Sequence, residues 1–551
     1  MNIYQRILFL LMPFFFLNIN PAVADNYPKN FKIDILHYKF ELALSDDTNE
    51  IIGTTTITIL FKKEGVDKIR FDLVNRAPGL NGRGMMVESI YEKNKKLNFI
   101  HIDNELWVDL SSIGLPNTET QLIIRYHGIP ADGLRIGSTK YGDRSFFNEN
   151  WPNRARHWLP AIDHPYEKAT SEFIVTAPSH YQVVSNGLLV EETNLDAKTK
   201  LTHWKQSVPV SSWLYVLGVA EFAVQYVDWF EGKSIQTWVY RQDRTAGFYD
   251  FAEPTKNVIS FFSDYIGGYA YEKIANVQTP SVQGGMETSS AIFYGEELID
   301  GKRSTRLRNV VIHELAHQWF GNAVTESTWD DAWLSEGFAT YFTMLYIEHA
   351  YGRDEFVSQL LAAKTTTVEY MSKNPSYKIV DDRSAEKGPV TNGMTYQKGA
   401  WVLHMLRNLV GDSAFREGIR AYYRNFINCN ASTADFRLAM EKVSGMELND
   451  FFNQWLYQGG NSALKGSWEY DATKRQVFIK LNQSQEAPYL FDLPFEMGIY
   501  KEGNLLPQIK KFNINKKELE FSIPLDYKPE KILLDPRTVL LSVTEFKEVK
   551  R

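Results

Sequence analysis

The chain has 551 residues, of which 44% are hydrophobic and 14% aromatic, and a formal net charge of −7. Such a composition can fill several buried cores, so it predicts three domains and excludes a disordered or low-complexity protein. The lysines are scattered along the chain rather than clustered. Because nucleic-acid binding needs a concentrated basic surface, we expect no nucleic-acid partner.

The N-terminus has the pattern of an export signal. Arg6 precedes an apolar run at 7–17, and an Ala-Val-Ala sequence at 22–24 offers a cleavage site before Asp25. We therefore predict a signal peptide at 1–24 and an exported protein, periplasmic or secreted. The apolar run is too short to span a bilayer, so no stable membrane insertion is expected after signal cleavage. Cys429 is the single cysteine, which excludes an internal disulfide.

Hydrophobic periodicity divides the remaining chain into three regions. At 25–228 apolar and polar residues alternate, as at Tyr38, Phe40 and Leu42, which predicts an N-terminal β domain. At 229–460 helical periods dominate, and we expect helices after Pro254 and at about 331–350, 395–409, 413–426 and 433–443. At 461–551 alternation returns, as at Val477 and Ile479, which predicts a small C-terminal β-sandwich.

The most informative motif is His313-Glu314-Leu315-Ala316-His317. Histidines four residues apart lie on the same face of a helix and can bind one metal ion, while the glutamate between them is placed to act as a base. A chance match is expected in roughly one or two random chains per hundred. The flanks favour the functional interpretation, because an apolar stripe predicts a buried helix back on the side opposite the histidines: Val311, Leu315 and Trp319.

The third ligand decides the class of metal site. A catalytic zinc has three protein ligands and an open position. The metzincin pattern fails, because Phe320 and Ala323 occupy its glycine and third histidine positions. Glu336, nineteen residues after His317, lies in the first turn of the predicted helix at 331–350 and completes a His2Glu site. We expect one Zn²⁺ per chain, held by two helices.

Three marks in order resemble the M1, or gluzincin, family of zinc aminopeptidases. The first is the spacing of the two histidines and Glu336, the second is Gly284-Gly285-Met286-Glu287-Thr288, and the third is Tyr396-Gln397-Lys398-Gly399. The resemblance implies an α+β multidomain fold with an N-terminal β-saddle domain, a thermolysin-like α/β catalytic domain and a C-terminal β-sandwich. Many members continue with a large helical domain; this chain ends at Arg551 without it, so we expect either a more open site or one covered by a partner subunit.

The chemistry expected of this site is hydrolysis of the N-terminal peptide bond. Zinc lowers the pKa of bound water to about 7, and Glu314 then serves as general base. The resemblance implies that Tyr396 stabilises the oxyanion and that Glu287 holds the α-ammonium group of the substrate. Gly284, Gly285 and Met286 are expected to bind the substrate chain closely. The partners implied are peptides with a free N-terminus, and the oligomeric state is left open.

The chain departs from the family pattern at two positions, and two alternative functions remain. Thr288 replaces the usual asparagine, and Trp151 stands where many relatives carry a second anchor for the substrate amine, with Glu149 nearby as a substitute. Asp330 or Asp331 is expected either to support a metal-bound histidine or to cap the helix that carries Glu336. The other functions are an epoxide hydrolase on the same zinc scaffold and a binding protein that kept the fold without the chemistry.

Overall fold

The structure is a computed structural model that describes residues 25–380 and 390–549. These residues form an α+β multidomain structure, which confirms the predicted fold class: a β-rich N-terminal region, a central region that holds the helices, and a β-rich C-terminal region. The predicted signal peptide at 1–24 lies outside the described residues. Among the residues described, every helix is too short or too polar to cross a membrane.

The N-terminal region contains an eight-stranded sheet in the order β13-β14-β11-β1-β2-β8-β4-β5, a four-stranded sheet in the order β12-β15-β10-β9 and a three-stranded sheet in the order β3-β7-β6. Their strands are β1 (Ile33–Ala43), β2 (Ile51–Phe61), β3 (Val66–Asp72), β4 (Gly84–Glu92), β5 (Lys95–Lys96), β6 (Phe99–Ile102), β7 (Glu105–Gly114), β8 (Thr118–Ile129), β9 (Leu134–Ser138), β10 (Arg144–Asn148), β11 (Ala169–Pro178), β12 (Gln182–Ser185), β13 (Leu188–Asn194), β14 (Thr199–Val210) and β15 (Leu217–Ala220).

Strand β1 shows why the predicted alternation becomes a sheet. Tyr38, Phe40 and Leu42 are at most 3% exposed, whereas the residues between them face outward. β1 pairs antiparallel with β2 and parallel with β11, so that Phe40 lies beside Phe173 in the register. Side chains at every second position therefore enter one core, as a pleated strand requires.

The central region is built on a five-stranded mixed sheet in the order β16-β17-β18-β20-β19, with β19 at one edge. Its strands are β16 (Phe222–Phe230), β17 (Lys233–Tyr240), β18 (Lys273–Thr279), β19 (Gly285–Met286) and β20 (Ala291–Gly295), and a separate parallel pair is formed by β21 (Val324–Glu326) and β22 (Cys429–Ala431). The helices are α1 (Arg244–Phe251), α2 (Thr255–Tyr265), α3 (Thr305–His317), α4 (Trp333–Tyr351), α5 (Arg353–Lys373), α6 (Gly393–Val410), α7 (Asp412–Phe426), α8 (Thr433–Ser444) and α9 (Asn449–Leu456).

The helices predicted from periodicity are all present, within two residues of the expected bounds where bounds were given. Pro254 stands directly before α2, and the expected helices at 331–350, 395–409, 413–426 and 433–443 correspond to α4, α6, α7 and α8. Among the helices of the described residues, α1, α5 and α9 were not predicted. The division of the chain at 228 and 460 stays a prediction, and residue 228 lies inside β16, which pairs with β17.

The C-terminal region consists of a four-stranded sheet, β27-β24-β23-β29, and a three-stranded sheet, β26-β25-β28. Phe512 of one sheet contacts Phe521 of the other, with ring centroids 4.5 Å apart. Val477, Ile479 and Leu481 are fully buried, as their alternation predicted. The strands are β23 (Ala463–Asp471), β24 (Gln476–Gln483), β25 (Leu493–Tyr500), β26 (Gln508–Ile514), β27 (Glu518–Pro524), β28 (Lys531–Leu534) and β29 (Val543–Glu548).

Candidate active site

Helix α3 carries the two predicted histidine ligands at its C-terminal end. The side chain of Ser304 caps its N-terminus by accepting a hydrogen bond from the Leu307 amide at 3.1 Å. The predicted apolar stripe is buried on the far side of the helix, at Val311, Leu315 and Trp319. His313 and His317 therefore point away from the stripe, and their Nε2 atoms lie 3.1 Å apart.

Glu336 reaches the histidines from the first turn of α4. Its Oε2 atom lies 3.2 Å from Nε2 of His317 and 3.5 Å from Nε2 of His313. The three ligand atoms thus form a nearly equilateral triangle. Ligand atoms about 2.0–2.2 Å from a tetrahedral ion lie about 3.3–3.6 Å from one another, so the triangle fits a zinc ion with shifts of only a few tenths of an ångström.

The environment of these side chains also fits a cation. Oε2 of Glu336 is buried and accepts no hydrogen bond from the described residues. Burial raises the pKa of Glu336, but His317 and His313 outweigh burial and lower it to about 2. Burial lowers the pKa of His317, but the charges of Glu287 and Glu336 raise it to about 10. The three carboxylates around His317 thus favour a positive charge there, and a metal ion bound at Nε2 would displace the proton that His317 otherwise holds.

His317 is oriented by groups that the sequence analysis did not identify. Its Nδ1 atom lies 3.1 Å from the Phe320 carbonyl oxygen and 3.1 Å from Oγ of Ser335. A proton on Nδ1 donated to these acceptors leaves Nε2 free to bind a metal. Asp331, expected either to support a histidine or to cap α4, instead accepts a hydrogen bond from the Thr433 hydroxyl at 2.6 Å, and no side chain among the described residues caps the N-terminus of α4.

The loop with Gly284, Gly285, Met286 and Glu287 lies over the metal helix. Gly285 and Met286 form β19, the edge strand of the five-stranded sheet, and a Cβ atom on Gly285 would collide with the Glu314 carboxyl group. Gly284 has a φ of +82°, in the region that glycine adopts without strain. Gly284 is therefore required by the turn, and Gly285 by the close approach to Glu314. A free edge of this kind can pair with an extended peptide.

Glu287 and Glu314 lie beside the candidate metal ligands. Glu287 is 6% exposed and Glu314 is 5% exposed, and their carboxylates lie with a ring nitrogen of His317 within 4.8 Å of one another. Burial and the charge of Glu287 raise the pKa of Glu314 well above its ordinary value, and burial and the charge of Glu336 raise the pKa of Glu287 to about 6. A carboxyl group with a raised pKa is suited to taking up and delivering a proton near neutral pH.

Two further residues, absent from the sequence predictions, hold the Glu287 loop against the C-terminal end of α3. The side-chain amides of Gln318 and Asn322 donate to the Glu287 carbonyl oxygen at 2.9 and 2.6 Å. Oε1 of Gln318 accepts the amide hydrogen of Ser290 at 3.1 Å. Gln318 directly follows the candidate ligand His317 and is 1% exposed, so it links the loop to the end of α3. The sequence carries no signal for this contact, because Gln318 and Glu287 lie 31 residues apart.

Tyr396 lies in the first turn of α6, and its hydroxyl donates to Oε1 of Glu336 at 2.6 Å. Helices α4 and α6 approach closely at Gly337 and Gly399, where a Cβ atom would lie about 3 Å from the opposite backbone. Burial and the charge of Glu336 raise the pKa of Tyr396 above its ordinary value. The phenol therefore stays protonated and can donate a hydrogen bond.

The two departures from the family pattern have local explanations. Thr288 is fully buried and its hydroxyl donates to the Ala291 carbonyl oxygen at 2.5 Å, so it closes its own turn. Trp151 packs edge-on against Trp329, with ring centroids 4.7 Å apart. Glu149 forms an ion pair with Arg154 and accepts the Trp151 amide hydrogen at 2.9 Å. Both of its oxygens are engaged, which speaks against Glu149 as a second amine anchor.

Known proteins resemble this chain over most of its length. Glutamyl aminopeptidase from Rattus norvegicus is 28% identical over 502 residues, which cover 85% of this chain and 52% of that protein. The chain spans about half the length of the curated relatives that it matches. Among solved structures, an M1 zinc metallopeptidase from Deinococcus radiodurans is 24% identical with a TM-score of 0.66, covering 79% of this chain and 96% of that one.

A mutant of the Deinococcus radiodurans protein, solved with a Tyr-Ser-Ala substrate, matches with a TM-score of 0.65 at 24% identity, covering 77% of this chain and 94% of that one. The model of the peptidase M1 N-terminal domain matches residues 35–214, and that of the peptidase family M1 domain matches residues 251–455. The second match contains all three candidate ligands, and the two matches together cover more than half of the chain. The chain therefore belongs to peptidase family M1.

Proposed function

We propose that this protein is a zinc-dependent aminopeptidase, in which His313, His317 and Glu336 hold one Zn²⁺ and Glu314 is the general base. The observation that carries the proposal is the position of Glu287. Its buried carboxylate lies within 4.8 Å of the Glu314 carboxylate and of a ring nitrogen of His317. A carboxylate at this short distance from the ligand triangle supports binding of a substrate ammonium group. With the ammonium group held there, only the first peptide bond reaches the metal ion.

Each side chain has a distinct part in the proposed reaction. Bound zinc supplies a Lewis acid that acidifies water and polarises the scissile carbonyl group. The Glu314 carboxylate takes a proton from the attacking water and delivers it to the leaving amine nitrogen. The Tyr396 hydroxyl donates to the oxygen on which negative charge develops. Glu287 holds the α-ammonium group, and Gly285 lets the substrate backbone come close to Glu314.

Export is a second part of the proposal and rests on the sequence alone. The apolar run at 7–17 and the Ala-Val-Ala sequence at 22–24 support removal of residues 1–24 and a periplasmic or secreted enzyme. N-terminal sequencing of the protein purified from its native host tests this part. A mature chain that begins at Asp25 is expected, and a retained Met1 would contradict it.

The activity is tested with aminoacyl-fluorophore substrates, each with a free and with an acetylated N-terminus. We expect hydrolysis of the free amines only, loss on chelation and recovery with added zinc. Glu314→Gln should lower kcat by about 100- to 10,000-fold, the usual contribution of a positioned acid or base. Glu447→Gln, a change at an exposed glutamate outside the site, is the matched control. Hydrolysis of the acetylated substrates would contradict the proposed amine anchor and indicate an endopeptidase.

A further inference from the structure

Lys168 of the N-terminal region binds the turn that follows α3. Its Nζ atom donates to the carbonyl oxygens of Asn322 and Ala323, each at 3.0 Å. The main chain that carries this lysine is firmly placed, because the next residue, Ala169, begins β11 in the interior of the eight-stranded sheet. The N-terminal region therefore holds the segment that joins the two helices with the candidate metal ligands.

The same turn reaches the candidate active site on its other side. The side-chain amide of Asn322 donates to the Glu287 carbonyl oxygen at 2.6 Å. The main-chain amide of Asn322 donates to the His317 carbonyl oxygen at 3.1 Å. Asn322 is fully buried, so in a close-packed interior it cannot move without displacing its neighbours. Two successive hydrogen bonds thus connect Lys168, through Asn322, to the backbone of the proposed amine anchor.

The contacts of Lys168 add to others that the turn already has. The Asn322 carbonyl oxygen also accepts the Thr325 hydroxyl at 2.9 Å, and the Ala323 carbonyl oxygen also accepts the Asn428 amide at 2.7 Å. A carbonyl oxygen has two lone pairs and can accept both donors. Without the lysine each carbonyl oxygen keeps one donor, so the turn should remain folded but be less firmly fixed.

We propose that Lys168 is a positioning residue of the active site, which fixes Asn322 and through it the place of the Glu287 carboxylate. This inference rests on the proposed aminopeptidase function and adds the N-terminal region to the parts of the chain that determine how the substrate ammonium group is bound. Lys168 acts through Asn322 and needs no contact with the substrate. A displaced Glu287 binds the ammonium group less well because a charge-assisted hydrogen bond depends on distance and direction.

The first test is Lys168→Met, which keeps a side chain of similar length and removes its N–H donors. With saturating zinc, KM for the free aminoacyl-fluorophores should rise about tenfold, the lower end of the loss typical when a group that orients a metal ligand is removed. The value of kcat should stay within about threefold, because the proposed base and the metal ligands are unchanged. An unchanged KM would overturn the inference.

Lys29→Met is the matched control. Lys29 also belongs to the N-terminal region, and its Nζ atom donates to the Ser327 carbonyl oxygen at 3.2 Å, in the same segment between α3 and α4. This change removes a comparable contact between the two regions at a place five residues beyond Asn322. KM should therefore stay at the wild-type value. A KM raised equally by Lys29→Met and Lys168→Met would contradict a specific role of Lys168.

A double-mutant comparison shows whether Lys168 acts through Asn322. Asn322→Ala removes the hydrogen bond to Glu287 and leaves the two carbonyl oxygens that Lys168 binds. In the Asn322→Ala background, Lys168→Met should change KM by less than about twofold, since the connection to Glu287 is already cut. The same tenfold rise in both backgrounds would mean that the lysine acts by another route and would overturn the inference.

Amide hydrogen exchange tests the same contact without catalysis. A peptide that covers residues 287–290 should exchange about tenfold faster in Lys168→Met than in the wild type, and at the wild-type rate in Lys29→Met. Faster exchange throughout the central region would indicate a general role in folding and contradict the inference. If the aminoacyl-fluorophores are hydrolysed but Lys168→Met has the wild-type KM, the inference fails and the aminopeptidase remains. If no free-amine substrate is hydrolysed by the zinc-loaded protein, both fail.

Discussion

Glu287→Gln is the most direct test of the amine anchor. The change keeps the size of the side chain and replaces a carboxylate by a neutral amide. The backbone at this position is fixed by the amides of Gln318 and Asn322, which bind the Glu287 carbonyl oxygen at 2.9 and 2.6 Å. The loop should therefore stay in place, so that the effect of the substitution reports the lost charge.

The size of the effect follows from the burial of the carboxylate. At 6% exposure, Glu287 is shielded from water, and a bound ammonium group would lose most of its hydration there. Leaving one charge of a buried pair unpartnered costs about 3–5 kcal/mol, and a retained neutral hydrogen bond recovers about 1 kcal/mol. A net loss of about 2–4 kcal/mol corresponds to a roughly 30- to 1,000-fold fall in kcat/KM.

The assay is hydrolysis of free aminoacyl-fluorophores, with kcat and KM measured separately and the zinc content of each protein determined. The ammonium group is held both before and during the reaction, so most of the loss should appear as a higher KM. Glu447→Gln serves again as the control at an exposed glutamate. A variant with normal zinc content and a kcat/KM within threefold of the wild type would refute the proposed role of Glu287.

Three further changes test other parts of the structure. Tyr396→Phe removes the hydroxyl that bonds to Glu336, and kcat should fall about 100- to 1,000-fold with KM within threefold; a change confined to KM would contradict this. Gln318→Ala leaves the Ser290 amide without its acceptor, so the free energy of unfolding, measured in urea, should fall by about 1–3 kcal/mol. KM should rise because the Glu287 loop loses a contact with the end of α3. An unchanged unfolding midpoint would contradict this. Burial raises the pKa of Glu167 to about 8, with Asp34 adding to the shift and the Ile35 amide and Lys62 opposing it. Because this folded-state pKa is above the unfolded value, stability present at low pH should be lost as pH rises from 5 to 8, by about 3 kcal/mol. Glu167→Gln should remove that loss in urea unfolding at the two pH values, and a loss equal to that of the wild type would contradict the assignment.

Local sequence patterns predicted the parts of the structure that depend on local geometry. The histidines converge because four residues are close to one helical turn, and Glu336 joins them because α4 begins three residues before it. The alternation at Tyr38, Phe40 and Leu42 predicted a strand because a pleated strand buries every second side chain. In each case the signal lies within a single helix or strand.

Helix α5 shows where periodicity is insufficient. Its buried positions have helical spacing, but two of the five hold Ala363 and Thr367 rather than large apolar side chains. The apolar stripe is therefore too weak to be recognised in the sequence. Ala363 also lines a cavity of about 420 Å³ beside His313 and Glu314, so the helix with the weakest sequence signal forms one wall of the candidate active site.

Contacts between distant segments carried no sequence signal. Gln318 and Glu287 are separated by 31 residues, and their contact exists because the sheet edge and α3 pack together. The ion pair that engages Glu149 is a comparable case, since the sequence showed a glutamate near the expected anchor position without showing its partner. A motif predicted which residues take part, and only the packing of the elements revealed which of their atoms remain available to a substrate.

The charge of the site links the expected metal ion to the substrate of the proposed enzyme. Glu287, Glu314 and Glu336 are each at most 6% exposed, and isolated carboxylates are costly to bury. The two neighbouring histidines are neutral when they bind a metal, so they cannot balance three negative charges once all three carboxyl groups are ionised. A divalent cation at the ligand triangle offsets two of them, and a substrate ammonium group at Glu287 offsets the third. In the proposed enzyme the substrate therefore completes the charge balance that the metal begins, and a blocked N-terminus leaves one buried charge unpaired.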